Sequence, residues 1–192
     1  FDRGLSYKRN FAVKKSLSNY VMLLDDDMII TKSVDITKAI QLLKKQTDIV
    51  GFNLDDRKLV PVETRLVNGE ISRCELQQHT TDECKKTDYV LNNFIAKKRV
   101  LLENKWDEDL KLAEHSVFFL MLKQKNVNVR LCEHMLVKHN NKKRSKYQDS
   151  KYDYLRGRAS KEFSSIVKKK YGFHNRFLDS RWIARFVMDF WI

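Results

Sequence analysis

Residues Tyr20-Val21-Met22-Leu23-Leu24-Asp25-Asp26-Asp27 place five apolar side chains directly before three carboxylates. An apolar run without alternation reads as a strand covered on both faces, as in the middle of a parallel sheet. Three charges cannot continue into such a core, so the strand ends at the triplet. On an extended backbone Asp25 and Asp27 point to one face and Asp26 to the other. Two carboxylates on one side of a strand tip form an oxygen-rich site. It suits Mg2+ or Mn2+, hard cations that keep coordination positions for a diphosphate. In open α/β sheets ligands bind beyond the carboxyl ends of the strands, where the triplet lies. The alternative is a polar strand end or a helix cap, and an acidic triplet alone does not decide between the two.

The 192 residues have room for one domain with a core, and the 42% hydrophobic fraction places the chain among folded globular proteins. It starts at Phe1 and enters a helix-like segment followed at once by the apolar strand, which reads as a piece lacking the opening strands of its sheet. No uninterrupted apolar run reaches the ~18 residues of a membrane span. The net charge of +13 fits nucleic acid, an anionic membrane surface or an anionic small substrate. The excess gathers after residue 138, in Lys142, Lys143, Arg144, Lys146 and Lys151 and on to Lys168-Lys169-Lys170. That pattern fits a solvated helix face or an anion-binding one. Cys74, Cys84 and Cys132 lack the spacing of zinc or redox sites. They read as ordinary thiols, with a Cys74–Cys84 disulfide open in an oxidising compartment.

Taken in order, Tyr7 to Ser18 has a roughly helical rhythm with Leu5, Phe11 and Leu17 as its apolar members and Ser6 as a candidate cap. Arg9 and Asn10 fall in its first turns, where periodicity alone leaves them as surface residues. Ile36, Ala39, Ile40 and Leu43 carry the spacing of a helix over 36–46, and Asp48 to Phe52 reads as a second strand. Asn68-Gly69 between 57–67 and 70–76 is a hairpin signal, with Pro61 placing it at an edge. Gln77 to Lys86 reads as a loop, Thr87 to Ala96 as a strand interrupted by Asn92-Asn93, and 99–102 as a short turn of helix. Glu114 and His115 open a helix containing Val117 to Leu122, so apolar that it must be buried nearly all round. Asn126 to His139 alternates as a strand, 147–171 reads as a basic helix, and Ser180 to Ile192 is aromatic and cationic enough to touch an anionic membrane.

Three stretches in this order resemble glycosyltransferases of the GT-A fold. They are Gly4-Leu5-Ser6 with Arg9-Asn10 and Ala12-Val13; Tyr20 to Asp27; and Trp106-Asp107-Glu108 through Glu114-His115 to Phe118-Phe119, closed by Val137-Lys138-His139. The chain is similar to the family 2-like group that includes β-1,4-N-acetylgalactosaminyltransferase-type enzymes. The resemblance implies a mixed, mostly parallel α/β sheet flanked by helices, with a catalytic core over 1–140 and a basic helical extension over 141–192. It implies a nucleotide-sugar donor bound by Arg9, Asn10, Asp25 and Asp26. The metal, Mn2+ or Mg2+, would be held by Asp25, Asp27 and His139. Glu114 becomes the base that deprotonates an acceptor hydroxyl in an inverting transfer, with Asp109 in reserve. This chain has His115, Ser116 and Val117 where relatives often carry another acid. Asn93, Trp106, Asp107 and His115 would line an acceptor or sugar pocket, although Trp106 serves equally well as a core anchor.

The acceptor class implied is a glycan, glycolipid or protein, and nucleic acid is not expected as a partner. Golgi lumen and membrane-associated cytoplasm both stay open. A metal-dependent nuclease or phosphoryl-transfer enzyme is the rival, since it too uses clustered acids, a histidine and a basic face. A non-catalytic nucleic-acid-binding domain would explain the charge but give the strand-end aspartates no purpose.

Overall fold

The structure, a computed structural model, describes residues 4–56, 59–78, 80, 82–110, 114–140 and 165–172. Its elements run α1 (Gly4–Lys15), β1 (Tyr20–Leu24), β2 (Met28–Ile30), α2 (Ile36–Lys44), β3 (Ile49–Leu54), β4 (Val62–Val67), β5 (Glu70–Glu75), β6 (Cys84–Lys86), β7 (Asn93–Lys97), α3 (Lys98–Glu103), α4 (Glu114–Gln124) and β8 (Val129–His139). A further helical stretch occupies residues 165–171. The rest of the anticipated basic helix, most of the lysine-rich stretch and the aromatic segment 180–192 lie outside the described residues.

The main sheet has the order β1-β7-β3-β8-β2, with β6 also paired to β8. It is mixed, as the α/β reading requires, but among the described residues only β3 and β8 pair in parallel. The expected mostly parallel sheet therefore gives way to a mostly antiparallel one. Parallel neighbours need a long crossover, usually a helix. Between β3 and β7 the described chain instead forms the β4–β5 hairpin and the short β6, and β7 returns antiparallel, between β1 and β3. Because β7 reverses direction twice over, β1, β3 and β8 still run the same way, and their carboxyl ends share one edge of the sheet.

Helices cover both faces. On one, Val13 of α1, Val100 and Leu101 of α3 and Phe118, Phe119 and Leu122 of α4 pack with Ile49, Phe94 and Leu131. On the other, Ala39 and Leu43 of α2 meet Val50, Phe52, Ile95 and Met135. Helix α2 follows its sequence pattern and is capped by Asp35, whose carboxylate accepts the Lys38 N–H at 2.9 Å. Strand β1 is a correction: it ends the sheet among the described strands, and all five residues are only half-buried. Its side chains still divide between the two cores, Val21 and Leu23 to one and Tyr20, Met22 and Leu24 to the other.

Helix α1 reverses its expected face. It begins at Gly4, so Ser6 lies inside it and is not the cap. Ser6, Arg9 and Val13 are buried while Leu5 and Phe11 are exposed, as is Leu17 just beyond. The cause is polar: Arg9 and Ser6 find buried partners on the segment leading into α4, and that pairing outweighs the weak apolar rhythm. The hairpin forms as read, with Asn68 at φ 51° and Gly69 at φ 80°, the left-handed pair that a two-residue turn demands. It stands as a separate two-stranded sheet, docked by Ile71 against Leu110, Val117, Leu120 and Val167.

The cysteine reading is corrected as well. Part of the expected loop over 77–86 is strand β6, and Cys84 sits directly opposite Cys132 of β8, bonded to it as a disulfide. Cys74, on the separate hairpin, is the free and exposed thiol. Spacing along the chain could not show this, because the partners are 48 residues apart and are brought together by register.

Gly51 marks the tightest approach in the sheet core. A Cβ there would lie 2.3 Å from Val90 Cγ1 and 2.5 Å from Val90 Cβ, and Val90 is fully enclosed. Gly51→Ala is expected to lower stability by about 1–3 kcal/mol through overpacking, measured as a shift of the urea midpoint at unchanged slope.

Candidate active site

The three strands that share a direction deliver their acids to one edge. Strand β1 is followed by Asp25, β3 by Asp55-Asp56, and β8 ends at His139. The aspartate triplet is not extended: the Met28 N–H donates to the Asp25 carbonyl at 3.1 Å, closing a turn into β2. The anticipated alternation survives in a different geometry, with Asp25 and Asp27 half-buried and Asp26 exposed.

The first cluster centres on Arg9, 7% exposed on the buried face of α1. Its Nη1 donates to Glu114 Oε1 at 2.7 Å, and its Nη2 lies 3.6 Å from Asp25 Oδ1. The guanidinium also stands 5.8 Å from the centre of the Trp106 ring. On the other side of Asp25, Asn92 Nδ2 donates to Oδ2 at 3.2 Å. Burial raises the Asp25 carboxyl above its ordinary range, against the pull of Arg9 and Asn92 and with further pushes from Asp27 and Glu114. Glu114 opens α4 and is 7% exposed, so the helix dipole and Arg9 both face its charge.

The second cluster joins Asp27 to His139. Pairing of β2 with β8 sets Met28 opposite His139, and the Asn140 N–H donates to the Asp27 carbonyl at 2.6 Å. His139 Nε2 then lies 3.1 Å from Asp27 Oδ2, while its Nδ1 is 4.0 Å from Asp56. Of the anticipated metal set, Asp27 and His139 are in contact, whereas Asp25 is turned to Arg9. Among the described residues no group of three or more His, Cys, Asp or Glu side chains is placed to hold a metal ion.

The remaining candidates hold the scaffold. Asn10 clasps the loop before α4, donating to the Trp106 carbonyl at 2.8 Å and to Glu108 at 2.9 Å and accepting the Trp106 N–H at 3.0 Å. Trp106 is buried and stacked on Phe118, centroids 4.1 Å apart. Asp107 accepts from Tyr171 at 2.6 Å and from Lys170 at 2.9 Å, and Asp109 accepts from Lys170 at 3.0 Å. Burial works to raise Asp107, but these hydrogen bonds together outweigh it and leave its carboxyl lowered, while burial and the bond to Asp107 push Tyr171 up to about 12. Asn93 is fully buried opposite Leu24, with neither side-chain polar atom hydrogen-bonded. Sequence reading missed Asn92 and Asp56. Asp55-Asp56 carried the same signal as the triplet, acids directly after an apolar strand; Asn92 carried none beyond interrupting one.

His115 lies in an aromatic cluster of Tyr89, Phe94 and Phe119, with Nε2 2.7 Å from the Val90 carbonyl. Burial, with Arg9 adding to it, lowers its pKa from 6.5 to about 3, so the ring is neutral and Nε2 carries the donated hydrogen. The unfolded chain then binds the proton more readily than the folded one, and stability complete above pH 6.5 falls as the pH drops toward 3. At pH 5 this one group is expected to remove about 2 kcal/mol. Urea unfolding at pH 7 and pH 5 checks it, since His115→Gln should lose that part of the slope.

The model of the family described as glycosyl transferase family 2 matches residues 1–110. Beta-1,4 N-acetylgalactosaminyltransferase 1 of Mus musculus is 28% identical over 134 residues, which cover 62% of this chain and 25% of that protein. The chain thus spans about a quarter of the length of this curated relative. A solved structure of GalNAc-T7 with UDP, GalNAc and Mn2+ has a TM-score of 0.54 at 12% identity, covering 97% of this chain and 44% of that one. The S. aureus TarS 1-349 structure in complex with UDP-GlcNAc has a TM-score of 0.50 at 14% identity, covering 88% of this chain and 54% of that one. At such identities these two likenesses speak for the fold, which is mixed α/β of the GT-A kind.

Proposed function

Because the chain belongs to glycosyl transferase family 2, we propose that it moves a sugar from a nucleotide-diphosphate donor, a UDP-sugar, to an acceptor hydroxyl by an inverting, metal-assisted displacement. The observation that carries this reading is the Arg9 bridge. It fixes Glu114 at one end of a charged cluster and Asp25 at the other, beside the Asp27–His139 pair.

The charges support a cation in this site. Among the described residues Asp25 and Glu114 share the one Arg9 guanidinium while Asp27 meets His139, so a diphosphate brought beside these carboxylates gains from positive charge that comes with it. Asp27 and His139 fit that need: a carboxylate oxygen and an imidazole nitrogen 3.1 Å apart are donors that Mn2+ accepts, leaving positions for phosphate oxygens. When bound, the ion supplies stabilisation of the charge that develops on the departing diphosphate.

The chain's own residues do the rest. Asp25, held between Asn92 and Arg9, accepts hydroxyls of the donor's ribose or sugar, with Asp26 at the exposed rim of the same turn. Glu114 takes the proton of the acceptor hydroxyl as that oxygen bonds to the anomeric carbon and the bond to the diphosphate oxygen breaks. Arg9 is a positioning residue, fixing the Glu114 carboxylate relative to Asp25. Residues 1–140 form the catalytic core and 141–192 an extension, with Val167 and Lys170 as its anchors on that core.

Calorimetric titration of UDP into the 192-residue chain, with and without Mn2+, tests the reading. Asp27→Ala is expected to remove the metal-dependent part of binding. Glu114→Gln keeps the shape and the hydrogen bond from Arg9, so UDP binding should persist while transfer falls by about 10²–10⁴-fold. Near-normal transfer by Glu114→Gln would remove the base assignment. Metal-independent, unchanged binding in Asp27→Ala would remove the metal site.

A further inference from the structure

Arg73 is the enclosed cation that the proposed mechanism leaves unused. It projects from β5 and lies over the Tyr89 ring, 3.9 Å from guanidinium centre to ring centroid. Its Nε is buried with no hydrogen-bond partner, and among the described residues no carboxylate stands within ion-pair distance. Other cations withdrawn from water have partners: Arg9 meets Glu114, Lys97 meets Asp48, Lys123 meets Asp88, and Lys98 donates to the Ser16 carbonyl. Withdrawing a guanidinium from water without a counter-charge is unfavourable, and an aromatic face offsets only part of that cost. The side chain is nevertheless only half-buried, so an anion from solution can reach it.

Position gives the anion a role. The Tyr89 ring meets the His115 ring edge-on at 5.4 Å. His115 and Ser116 directly follow Glu114, the proposed base. Arg73 is thereby linked, through the Tyr89 and His115 rings, to the start of α4, where the proposed base stands.

We propose that Arg73 recognises a negatively charged group of the acceptor, a carboxylate or a phosphate carried close to the hydroxyl that receives the sugar. This rests on the glycosyl-transfer reading above. Tyr89 holds the guanidinium flat, and the planar fork of N–H donors meets two oxygens of the anion at once. A neutral sugar of the same shape leaves those donors unmatched.

The test uses the 192-residue chain saturated with UDP and Mn2+, titrated with methyl glucoside, methyl glucuronide and glucose 6-phosphate. NMR follows the Arg73 Nε–H signal. The charged sugars are expected to bind about tenfold more tightly than the neutral one and to shift that signal, and the stronger of the two identifies the anion. Arg73→Gln should erase the preference, and Arg73→Lys, which keeps the charge, should retain part of it. Equal affinity for all three sugars, a preference that persists in Arg73→Gln, or no binding of either charged sugar at tens of millimolar overturns the proposal. Failure of the wild-type chain to bind UDP with Mn2+ overturns the reading beneath it instead, and this inference with it.

Discussion

The buried ion pair between Arg9 and Glu114 is the contact on which the active edge depends. Enclosing a guanidinium and a carboxylate is costly, and the cost is met only where geometry is good and remaining donors are used. Here Nη1 meets Glu114 at 2.7 Å, Nη2 approaches Asp25 and the guanidinium is within reach of the Trp106 ring. Neighbouring positions reinforce the grip, since Ser6 donates to the Leu110 carbonyl and Asn10 clasps Trp106. One face of α1 thus holds the segment from Trp106 to Glu114 by polar contacts. Removing Arg9 would leave Glu114 enclosed and unmatched, which costs more than the pair itself contributes, whereas removing Glu114 leaves Arg9 only the longer contact to Asp25.

That constraint explains why α1 was the helix least legible in the sequence. Apolar spacing assigns Leu5 and Phe11 to the core, but they are exposed while Arg9 and Ser6 are inside. Periodicity records transfer free energy and is blind to a partner 105 residues away. Where apolar burial does govern, the reading worked: α2 with Ala39 and Leu43 inward, α4 buried nearly all round, and the turn at Asn68-Gly69. The disulfide failed for the reason α1 did, because strand register brought Cys84 to Cys132. Strand direction failed differently. Five apolar residues in β1 say that both faces are covered, and say nothing of which way the neighbouring strand runs.

The site was legible in pieces. Asp25 and Asp27 announce themselves by following an apolar strand, whereas His139 and Arg9 came from resemblance to a family, since neither stands out by local pattern. The structure shows how those two reach the site: β2–β8 pairing carries His139 to Asp27, and helix packing carries Arg9 to Glu114 and Asp25. Trp106, Asp107, Asn93 and His115 show the opposite. Their residue types suit sugar binding, yet each is engaged in stacking, in ion pairs or in the core. Residue type proposes a chemistry, and only exposure and partners decide whether a side chain has a free face to offer.

The same test applies to charge. A net +13 invites a search for polyanions, but a sum does not say where any charge is matched, and exposed charges are screened within about a Debye length. Enclosed charges say more, because each must be matched where it sits. Lys97 is matched by Asp48, Lys123 by Asp88 and Arg9 by Glu114. Each of these explains how two elements are joined. Among the described residues Arg73 has no such partner. It projects from β5 and rests on Tyr89, whose ring meets His115 at the start of the helix that Glu114 opens. A cation enclosed without a matching anion is less stable than a neutral side chain of similar shape. On the proposed reading, its presence there is accounted for when the matching charge arrives with the acceptor.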